Sequence, residues 1–225
     1  MSEQAELNQE QQTETEQQTG KQQHGIKGFL FDIMDIVEAG LMTVFLFLLI
    51  FAYLVRPVTV DGGSMTPTLL HQDQILILTA IHHPRNGQIV VIDDQESGLF
   101  SDETQTTVEK TAGAGMVIVK RLIARAGQEI NINFDTGDVS VDGVLLDEPY
   151  IAEPTLKDEY AFRYPLTVPE GYVFVMGDNR MHSMDSRSPQ VALIPESEIL
   201  GTALFRYDRD SENRSKWTER FDYLF

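Results

Sequence analysis

The chain lacks cysteine altogether and is short of basic residues. Without cysteine it can form no disulfide, use no thiol nucleophile and bind neither a cysteine-ligated zinc ion nor an iron–sulfur cluster. Its 17 Lys and Arg residues are outnumbered by 35 Asp and Glu residues, which gives a formal net charge of -18. This charge disfavours binding to phosphate backbones, so we expect no nucleic acid partner. The length of 225 residues suits one main domain with appendages.

Large apolar side chains are almost absent from the N-terminal residues, which are rich in Gln and Glu. Such a segment buries too little to offset the entropy of ordering its backbone, so we predict a disordered tail at 1–27. Residues 39–55 then contain no charged side chain and would extend about 25 Å as a helix at about 1.5 Å per residue. That length is the lower limit for a membrane span. With a backward extension, we predict a transmembrane signal anchor at 28–56, ended by Arg56-Pro57.

Two other interpretations of this apolar run fit less well. A core helix that is apolar on every face would need protein on all sides, which a chain of this size hardly provides. A cleaved secretory signal has a basic start and small residues at its exit, whereas this run has an acidic start and ends at Tyr53-Leu54-Val55-Arg56. Lys21 and Lys27 before the span, against Arg56 after it, favour a cytoplasmic N-terminus by two to one.

After Pro57 the sequence changes to short runs of β-branched and aromatic residues bounded by Gly, Pro, Asn and Asp. Such runs predict strands, here at residues 58–60, 74–78, 87–92, 116–123, 129–133 and 172–176. Asp142-Gly143 predicts the tight turn of a hairpin. Because no amphipathic helix of convincing length follows, we expect an all-β, antiparallel and barrel-like domain at 57–225.

Two segments of this domain depart from the strand pattern. Residues 94–115 are rich in Asp, Glu, Ser, Thr and Gly, and we interpret them as a long exposed loop. Residues 131–168 are interpreted as a small subsidiary β excursion, which is irregular from residue 147 onward.

Three stretches carry residues suited to catalysis. In the first, two glycines precede Ser64 and would let the backbone aim its amides at an oxyanion, although a plain turn has the same composition. The second places Lys120 inside an apolar strand, where desolvation would lower its pKa and provide a general base; at a sheet edge its amine would reach solvent instead. The third, residues 177–187, is a polar turn that either supports a catalytic site or caps a loop with ion pairs.

Together with the single anchor, the three stretches resemble the bacterial type I signal peptidases of the single-span kind. The shared motifs are Ser-Met-x-Pro-Thr-Leu at 64–69, Lys-Arg at 120–121 followed by an apolar pair, and Gly-Asp-Asn-x-x-x-Ser-x-Asp-Ser-Arg at 177–187. The resemblance covers nearly the whole chain from about residue 28. It implies a β-rich catalytic domain with a smaller β excursion.

The resemblance also implies an activity and a location. The protein would be a membrane-bound serine endopeptidase that removes signal peptides from exported preproteins, after small residues of the Ala-x-Ala type and without a cofactor or metal. Its partners would be the preprotein signal peptides and the lipid bilayer. It would cross the cell membrane once, with the N-terminus in the cytoplasm and the catalytic domain outside.

Individual roles follow from the same resemblance. Ser64 would be the nucleophile and Lys120 the general base, while Ser183 would help to orient the lysine amine. The neighbouring Arg121 would lower the pKa of Lys120 further if its guanidinium lay close. Supporting ion pairs would be formed by Asp178, Asp185, Arg121 and Arg187.

The oxyanion and substrate sites complete these expectations. The backbone N–H of Ser64, assisted at Gly62, would bind the oxyanion; some family members have a serine hydroxyl where this chain has Gly62, so a second donor must come from backbone or water. Ser64 follows Val55 by nine residues, which at about 3.3 Å per residue keeps it within roughly 30 Å of the predicted span. Shallow apolar pockets for the small substrate residues would be lined by Val60, Met65, Leu69 and Val119.

Three other functions fit parts of the sequence. A self-cleaving repressor-type protease uses a Ser-Lys dyad on a related β fold, but the anchor and the lack of a DNA-binding helical domain argue against it. A Ser-His-Asp hydrolase could be assembled from Ser64, His182 and Asp185, yet the last two lie three residues apart in one loop, and we expect His182 to face solvent. An inactive, membrane-tethered binding or scaffold domain would be favoured only by loss of a dyad residue, and both are present.

Overall fold

A computed structural model describes residues 33–79, 83–207 and 221–223 of the chain. The predicted tail at 1–27 and the first part of the predicted anchor, 28–32, lie outside the described residues. The chain divides into two compact units, residues 1–52 and 53–225.

The apolar run forms one helix, α1, at Ile33–Tyr53. Its 21 residues extend about 31 Å at about 1.5 Å per residue, enough in length and composition to cross a membrane. None of its apolar window is buried inside the protein, which argues against a core helix. The predicted end at Arg56-Pro57 is wrong: the helix ends at Tyr53, and both residues lie in the following strand. Proline is tolerated there because this strand lies at a sheet edge.

The second unit is built almost entirely from strands, and all the strand pairs described are antiparallel. One 3-10 turn, Glu196–Glu198, is the only helix described after Tyr53. The prediction of an all-β antiparallel fold preceded by an apolar helix is confirmed. The strands are β1 (Val55–Thr59), β2 (Gln74–Leu78), β3 (Ile89–Phe100), β4 (Val108–Arg125), β5 (Glu129–Asn133), β6 (Asp138–Val141), β7 (Val144–Leu145), β8 (Leu166–Thr167), β9 (Tyr172–Met176), β10 (Ile194–Pro195), β11 (Ile199–Tyr207) and β12 (Phe221–Tyr223).

These strands form two sheets. The larger has the order β1-β2-β11-β3-β4-β9-β10, with β12 paired to β11, and the smaller has the order β7-β6-β5-β8. The smaller sheet lies in the chain between β4 and β9, where the sequence predicts a subsidiary excursion. Its first strand begins at Glu129, two residues before the predicted start.

The predicted loop at 94–115 is wrong, because most of it belongs to a long hairpin. Strands β3 and β4 pair from Ile89 with Arg121 to Phe100 with Val108, with an irregularity between Asp94 and Glu96. The polar composition is misleading because the buried polar groups bond to each other. The Asp94 carboxylate accepts hydrogen bonds from the Ser97 hydroxyl at 2.9 Å and from a backbone N–H of the opposite strand at 3.0 Å. Buried polar groups with such partners are compatible with a strand.

Two buried apolar clusters enclose the middle of β4. One contains Ile118 and Leu122. The other includes side chains of the segment that connects β1 to β2, and Val119 packs against it. Lys120 and Arg121 are therefore two basic side chains in a largely apolar part of the sheet, which is where a charge is costly unless it is paired or neutralised.

The hairpin register can be tested at Gly113, because a Cβ there would overlap the backbone carbonyl of Asp94 on the paired strand. We predict that Gly113→Ala lowers stability by about 1 to 3 kcal/mol, or about 2 to 12 °C in Tm for a chain of this size. Thermal unfolding of the full chain in detergent, followed by circular dichroism, measures this shift. Ala112→Ser, at the exposed neighbouring position, is the control and should leave Tm unchanged. Equal Tm values for both variants would contradict the register.

Candidate active site

Ser64 and Lys120 come together although 56 residues separate them. Ser64 lies in the turns between β1 and β2 and is partly accessible. Lys120 lies on β4 with 4% of its surface exposed. The Nζ atom of the lysine is 2.8 Å from the Oγ atom of the serine. A base within hydrogen-bond reach of a hydroxyl is the arrangement that proton abstraction requires.

The pKa of Lys120 is lowered from its usual value. The principal cause is burial, because desolvation disfavours the charged ammonium. The carboxylates of Asp185 and Asp94 act in the opposite direction, and the positive charge of Arg187 adds to the lowering. Arg187 is the cation among these principal causes, whereas the like charge considered from the sequence was that of Arg121. A lowered pKa increases the fraction of neutral amine, the form that can accept a proton.

Asp178 joins the three stretches on which the site depends. Arg121, the neighbour of the lysine on β4, binds it through two nitrogens, Nε at 2.8 Å and Nη2 at 2.6 Å. The hydroxyl of Thr68 donates to Asp178 Oδ2 at 2.5 Å; Thr68 lies in residues 60–73 between β1 and β2, which we call the serine-bearing segment. Asp178 is fully buried and the Arg121 side chain is 8% exposed. A bidentate arginine–carboxylate pair constrains orientation as well as distance, so this carboxylate holds the relative positions of all three stretches.

The second predicted ion pair lies within the turn after β9. Arg187 binds Asp185 through Nε at 2.9 Å and Nη2 at 2.8 Å, and both side chains are fully buried. The Asp185 carboxylate also accepts the backbone N–H of Gly177 at 2.9 Å. Burial raises the pKa of Asp185, but the charge and hydrogen bonds of Arg187 outweigh it and hold that pKa below its usual value. The turn is thus closed by a charged pair at neutral pH.

Ser183 lies beside this pair and beside the serine-bearing segment. Its Oγ atom is buried and has no hydrogen-bond partner among the described residues. It is nevertheless close enough to Asp185 to contribute to the lowering of that pKa. A Cβ added at Gly177 would overlap both Ser183 Oγ and the carbonyl oxygen of Ser64. Glycine at 177 therefore allows a close approach that any larger residue would prevent.

Asn179 is a further member of the site that the sequence reasoning did not single out. Its backbone N–H donates to the carbonyl of Ser64 at 3.0 Å, and its side-chain amide donates to the carbonyl of Gly63 at 2.9 Å. One residue thus holds two consecutive peptide groups at the candidate nucleophile. Asn179 stands in the third motif, and its place in that motif was the signal by which the sequence could have identified it.

The two amides considered for oxyanion binding are in different situations. The N–H of Gly62, a residue with a positive φ of 93°, donates to His71 Nδ1 at 3.2 Å. The N–H of Ser64 donates no hydrogen bond among the described residues. The Ser64 amide is therefore available to a ligand, whereas the Gly62 amide already has an acceptor.

The four residues considered for substrate pockets differ in accessibility. Val60, Met65 and Leu69 are buried in the apolar cluster beneath the serine-bearing segment, and Val119 is half-buried against it. Their role in substrate binding stays a prediction. Nearby on β4, Met116 and Val117 are exposed.

His182 is exposed, and both oxygens of Asp185 bind Arg187. A Ser-His-Asp arrangement with Ser64 is therefore not assembled. Among the described residues there is also no group of three or more His, Cys, Asp or Glu that could hold a metal ion.

The family model and the similar curated proteins point to one family. The sequence model of the family described as signal peptidase, peptidase S26, matches residues 33–208. Signal peptidase I of Bacillus licheniformis is 33% identical over 183 residues, covering 77% of this chain and 87% of that protein. A probable signal peptidase I-1 of Synechocystis is 34% identical, covering 78% and 82%. The crystal structure of a signal peptidase I from Enterococcus faecalis V583 is 26% identical, with a TM-score of 0.38, covering 53% of this chain and 96% of that one.

Removal of one member of the buried Asp185–Arg187 pair should lower stability strongly, because the other charge stays buried without a partner. We predict that Arg187→Met, which leaves Asp185 buried and unpaired, lowers stability by about 3 to 5 kcal/mol, or about 6 to 20 °C in Tm. Lys110→Met removes one member of the exposed pair with Glu96 and is the matched control, with a cost under about 1 kcal/mol. Thermal unfolding of the full chain at pH 7 compares the two. An Arg187→Met protein that melts like the control would show that the pair contributes nothing to the turn.

Proposed function

Because this chain belongs to the signal peptidase family, peptidase S26, we propose that its reaction is carried by Ser64 as nucleophile and Lys120 as general base. As a type I signal peptidase it is a serine endopeptidase that removes signal peptides from preproteins. The observation that carries the assignment of the dyad is the 2.8 Å distance between the buried amine and the serine hydroxyl. A serine hydroxyl is a weak nucleophile without such a base.

The first half of the reaction forms an acyl-enzyme. Neutral Lys120 accepts the hydroxyl proton as Ser64 Oγ attacks the scissile carbonyl carbon, and the carbonyl oxygen becomes an oxyanion. The free N–H of Ser64 stabilises that charge. The lysine then gives its proton to the leaving nitrogen, the peptide bond breaks, and the mature protein departs with a new amino terminus.

The second half releases the signal peptide. Lys120, neutral again, accepts a proton from a water molecule that attacks the ester carbon. The ester bond breaks, Ser64 regains its proton from the lysine, and the signal peptide leaves with a free carboxylate. The second oxyanion donor is either a water molecule or the Gly62 N–H, which would have to exchange His71 Nδ1 for the oxyanion.

Substrate is bound beside the dyad by the stretch of β4 that precedes the lysine. This stretch pairs with β3 on one side, and β9 pairs with β4 only from Arg121 onward. An extended substrate segment can therefore add as a strand to the free edge near Met116 and Val117. Val60, Met65 and Leu69 are buried and expose almost no apolar surface, and we propose that this limits the substrate side chains bound beside them to small ones. This is the physical basis we propose for cleavage after Ala-x-Ala sequences.

The membrane arrangement is also a proposal. The helix α1 is long and apolar enough to span, and we assign it to the signal anchor predicted at 28–56, with the tail at 1–27 in the cytoplasm and the peptidase domain at 57–225 outside the membrane. In this orientation the domain meets preproteins where they emerge, and the bilayer holds enzyme and substrate together.

The dyad predicts the outcome of three substitutions. Ser64→Ala and Lys120→Ala should each abolish processing almost completely, and the double variant should be little worse, because the two residues act as a unit. His182→Ala, in the same turn as Ser183 but exposed, should stay within a few-fold of the parent. The assay incubates the detergent-solubilised full chain with a preprotein and maps the cut by mass spectrometry. Substantial turnover by either single dyad variant, or a severe loss in His182→Ala, would refute the assignment.

The lowered pKa of Lys120 predicts the pH dependence. Since the neutral amine is the active form, kcat/KM should rise with pH through a single group that titrates well below the ordinary lysine value of about 10.4. Lys120→Arg keeps the charge but stays protonated, so it should be as inactive as Lys120→Ala. Rates measured across pH on the full chain test both statements. An active Lys120→Arg enzyme would mean that the base lies elsewhere.

A further inference from the structure

A largely buried polar cluster joins the segment between β7 and β8 to the turn that carries Asp178 and Ser183. We call it the Glu148 clamp; its members are Glu148, Tyr150, Thr155 and Arg180. Glu148 binds the Arg180 guanidinium with both oxygens, Oε1 to Nη2 at 2.5 Å and Oε2 to Nη1 at 3.0 Å. The arginine side chain is fully buried and that of the glutamate is 7% exposed. Two charges removed from water to this extent require close mutual pairing.

Arg180 connects the clamp to the backbone of the turn at two points. Its Nε donates to the carbonyl of Gly177 at 3.1 Å, and its own carbonyl accepts Arg187 Nη2 at 2.8 Å. Its Nη1 also donates to the Thr155 hydroxyl at 2.5 Å. All three guanidinium nitrogens thus donate hydrogen bonds. The bond from Nε holds Gly177, which lies so close to Ser64 that a Cβ would not fit there.

Tyr150 connects the same clamp to β4. Its hydroxyl donates to Glu148 Oε1 at 3.0 Å, and its ring lies against the guanidinium of Arg121, with 3.8 Å between Cζ and the ring centroid. This is the distance of a cation–π contact. Arg121 is the bidentate partner of Asp178 and the chain neighbour of Lys120. The clamp therefore contacts the turn, through Gly177 and Arg187, and strand β4, through Arg121.

We propose that Glu148 and Tyr150 are positioning residues for the reaction, which act through Arg180 and Arg121 to hold the turn and β4 at the spacing that brings Lys120 to Ser64. The inference rests on the proposed function of that dyad. Neither residue touches the reacting atoms. Their effect is on geometry, and a displacement of about 1 Å at a catalytic group can cost about 100-fold in rate.

If Glu148 and Arg180 served stability alone, a variant that regained stability would also regain activity. Substitutions of this ion pair can therefore distinguish a structural role from a positioning role. Replacement of a whole buried ion pair by apolar residues of similar volume is often neutral for stability, whereas removal of one partner is not. An apolar pair can restore packing, but it cannot donate to the Gly177 carbonyl. In the double variant, stability should therefore recover while kcat stays low.

The first experiment compares Arg180→Met, Glu148→Leu and the double variant in the full chain in detergent. We expect both single variants to lower Tm, the double variant to recover most of that loss, and kcat to stay about 10- to 100-fold below the parent in the double variant with KM within about 2-fold. Ile132→Val, a mild change in the buried part of the smaller sheet, controls for lost stability and should retain kcat. Recovery of kcat together with Tm in the double variant would overturn the inference.

The second experiment alters the ring and leaves the ion pair in place. Tyr150→Leu removes the surface against Arg121 and should lower kcat about 10-fold, whereas Tyr150→Phe keeps the ring and should stay within about 3-fold of the parent. Tyr160→Leu changes a tyrosine of the same segment that is 83% exposed and should have no effect. A folded Tyr150→Leu protein with parental kcat would overturn the role of the tyrosine.

The Ser64→Ala and Lys120→Ala proteins, assayed alongside, distinguish the two levels of failure. Activity in either of them would refute the dyad itself. If both are inactive while the Glu148 and Tyr150 variants keep the parental kcat, the proposed function stands and only the positioning inference fails.

Discussion

One buried carboxylate, that of Asp178, connects the three segments around the proposed dyad of Ser64 and Lys120. It accepts hydrogen bonds from Thr68 in the serine-bearing segment and from Arg121 on β4, while its own backbone belongs to the turn after β9. Strand pairing aligns two of these segments, because Arg121 on β4 lies opposite Met176 at the end of β9, and the Thr68 hydrogen bond adds the serine-bearing segment to them. A fully buried carboxylate must be satisfied by donors, since leaving one unpaired costs several kcal/mol. That requirement constrains where the three segments lie, and the 2.8 Å contact between Lys120 and Ser64 joins two of them.

Burial has opposite consequences for the different basic residues around this point. Each buried arginine forms an ion pair with a carboxylate and stays charged, whereas Lys120, among the described residues, forms none. A buried ammonium without a paired carboxylate favours the neutral form. The same low-polarity surroundings thus contain paired, charged arginines and a lysine whose pKa is lowered by burial. The arginine pairs are Arg121 with Asp178, Arg180 with Glu148, and Arg187 with Asp185.

Much of the fold could be predicted because local pattern and tertiary structure agree there. Short β-branched runs became strands, Asp142-Gly143 lies at the turn between β6 and β7, and the long apolar run became α1. The predictions failed where tertiary contacts override composition. Residues 94–115 look like a solvated loop, but Asp94 and Ser97 satisfy each other inside the β3–β4 hairpin. Arg56-Pro57 was expected to end the helix, but edge pairing with β2 takes in both residues.

The sequence by itself determined the family, the all-β class, the apolar helix and the residue types available for catalysis, since motifs and periodicity are local properties of the chain. Only the tertiary structure decided which of those residues meet. It brought Lys120 to Ser64, placed Arg187 among the principal charges acting on the lysine, and left His182 exposed. It also revealed Asn179 and Glu148, which belong to no periodic pattern. Both make hydrogen bonds to distant segments, and pairing of that kind is defined only once the chain has folded and water has been excluded from the site.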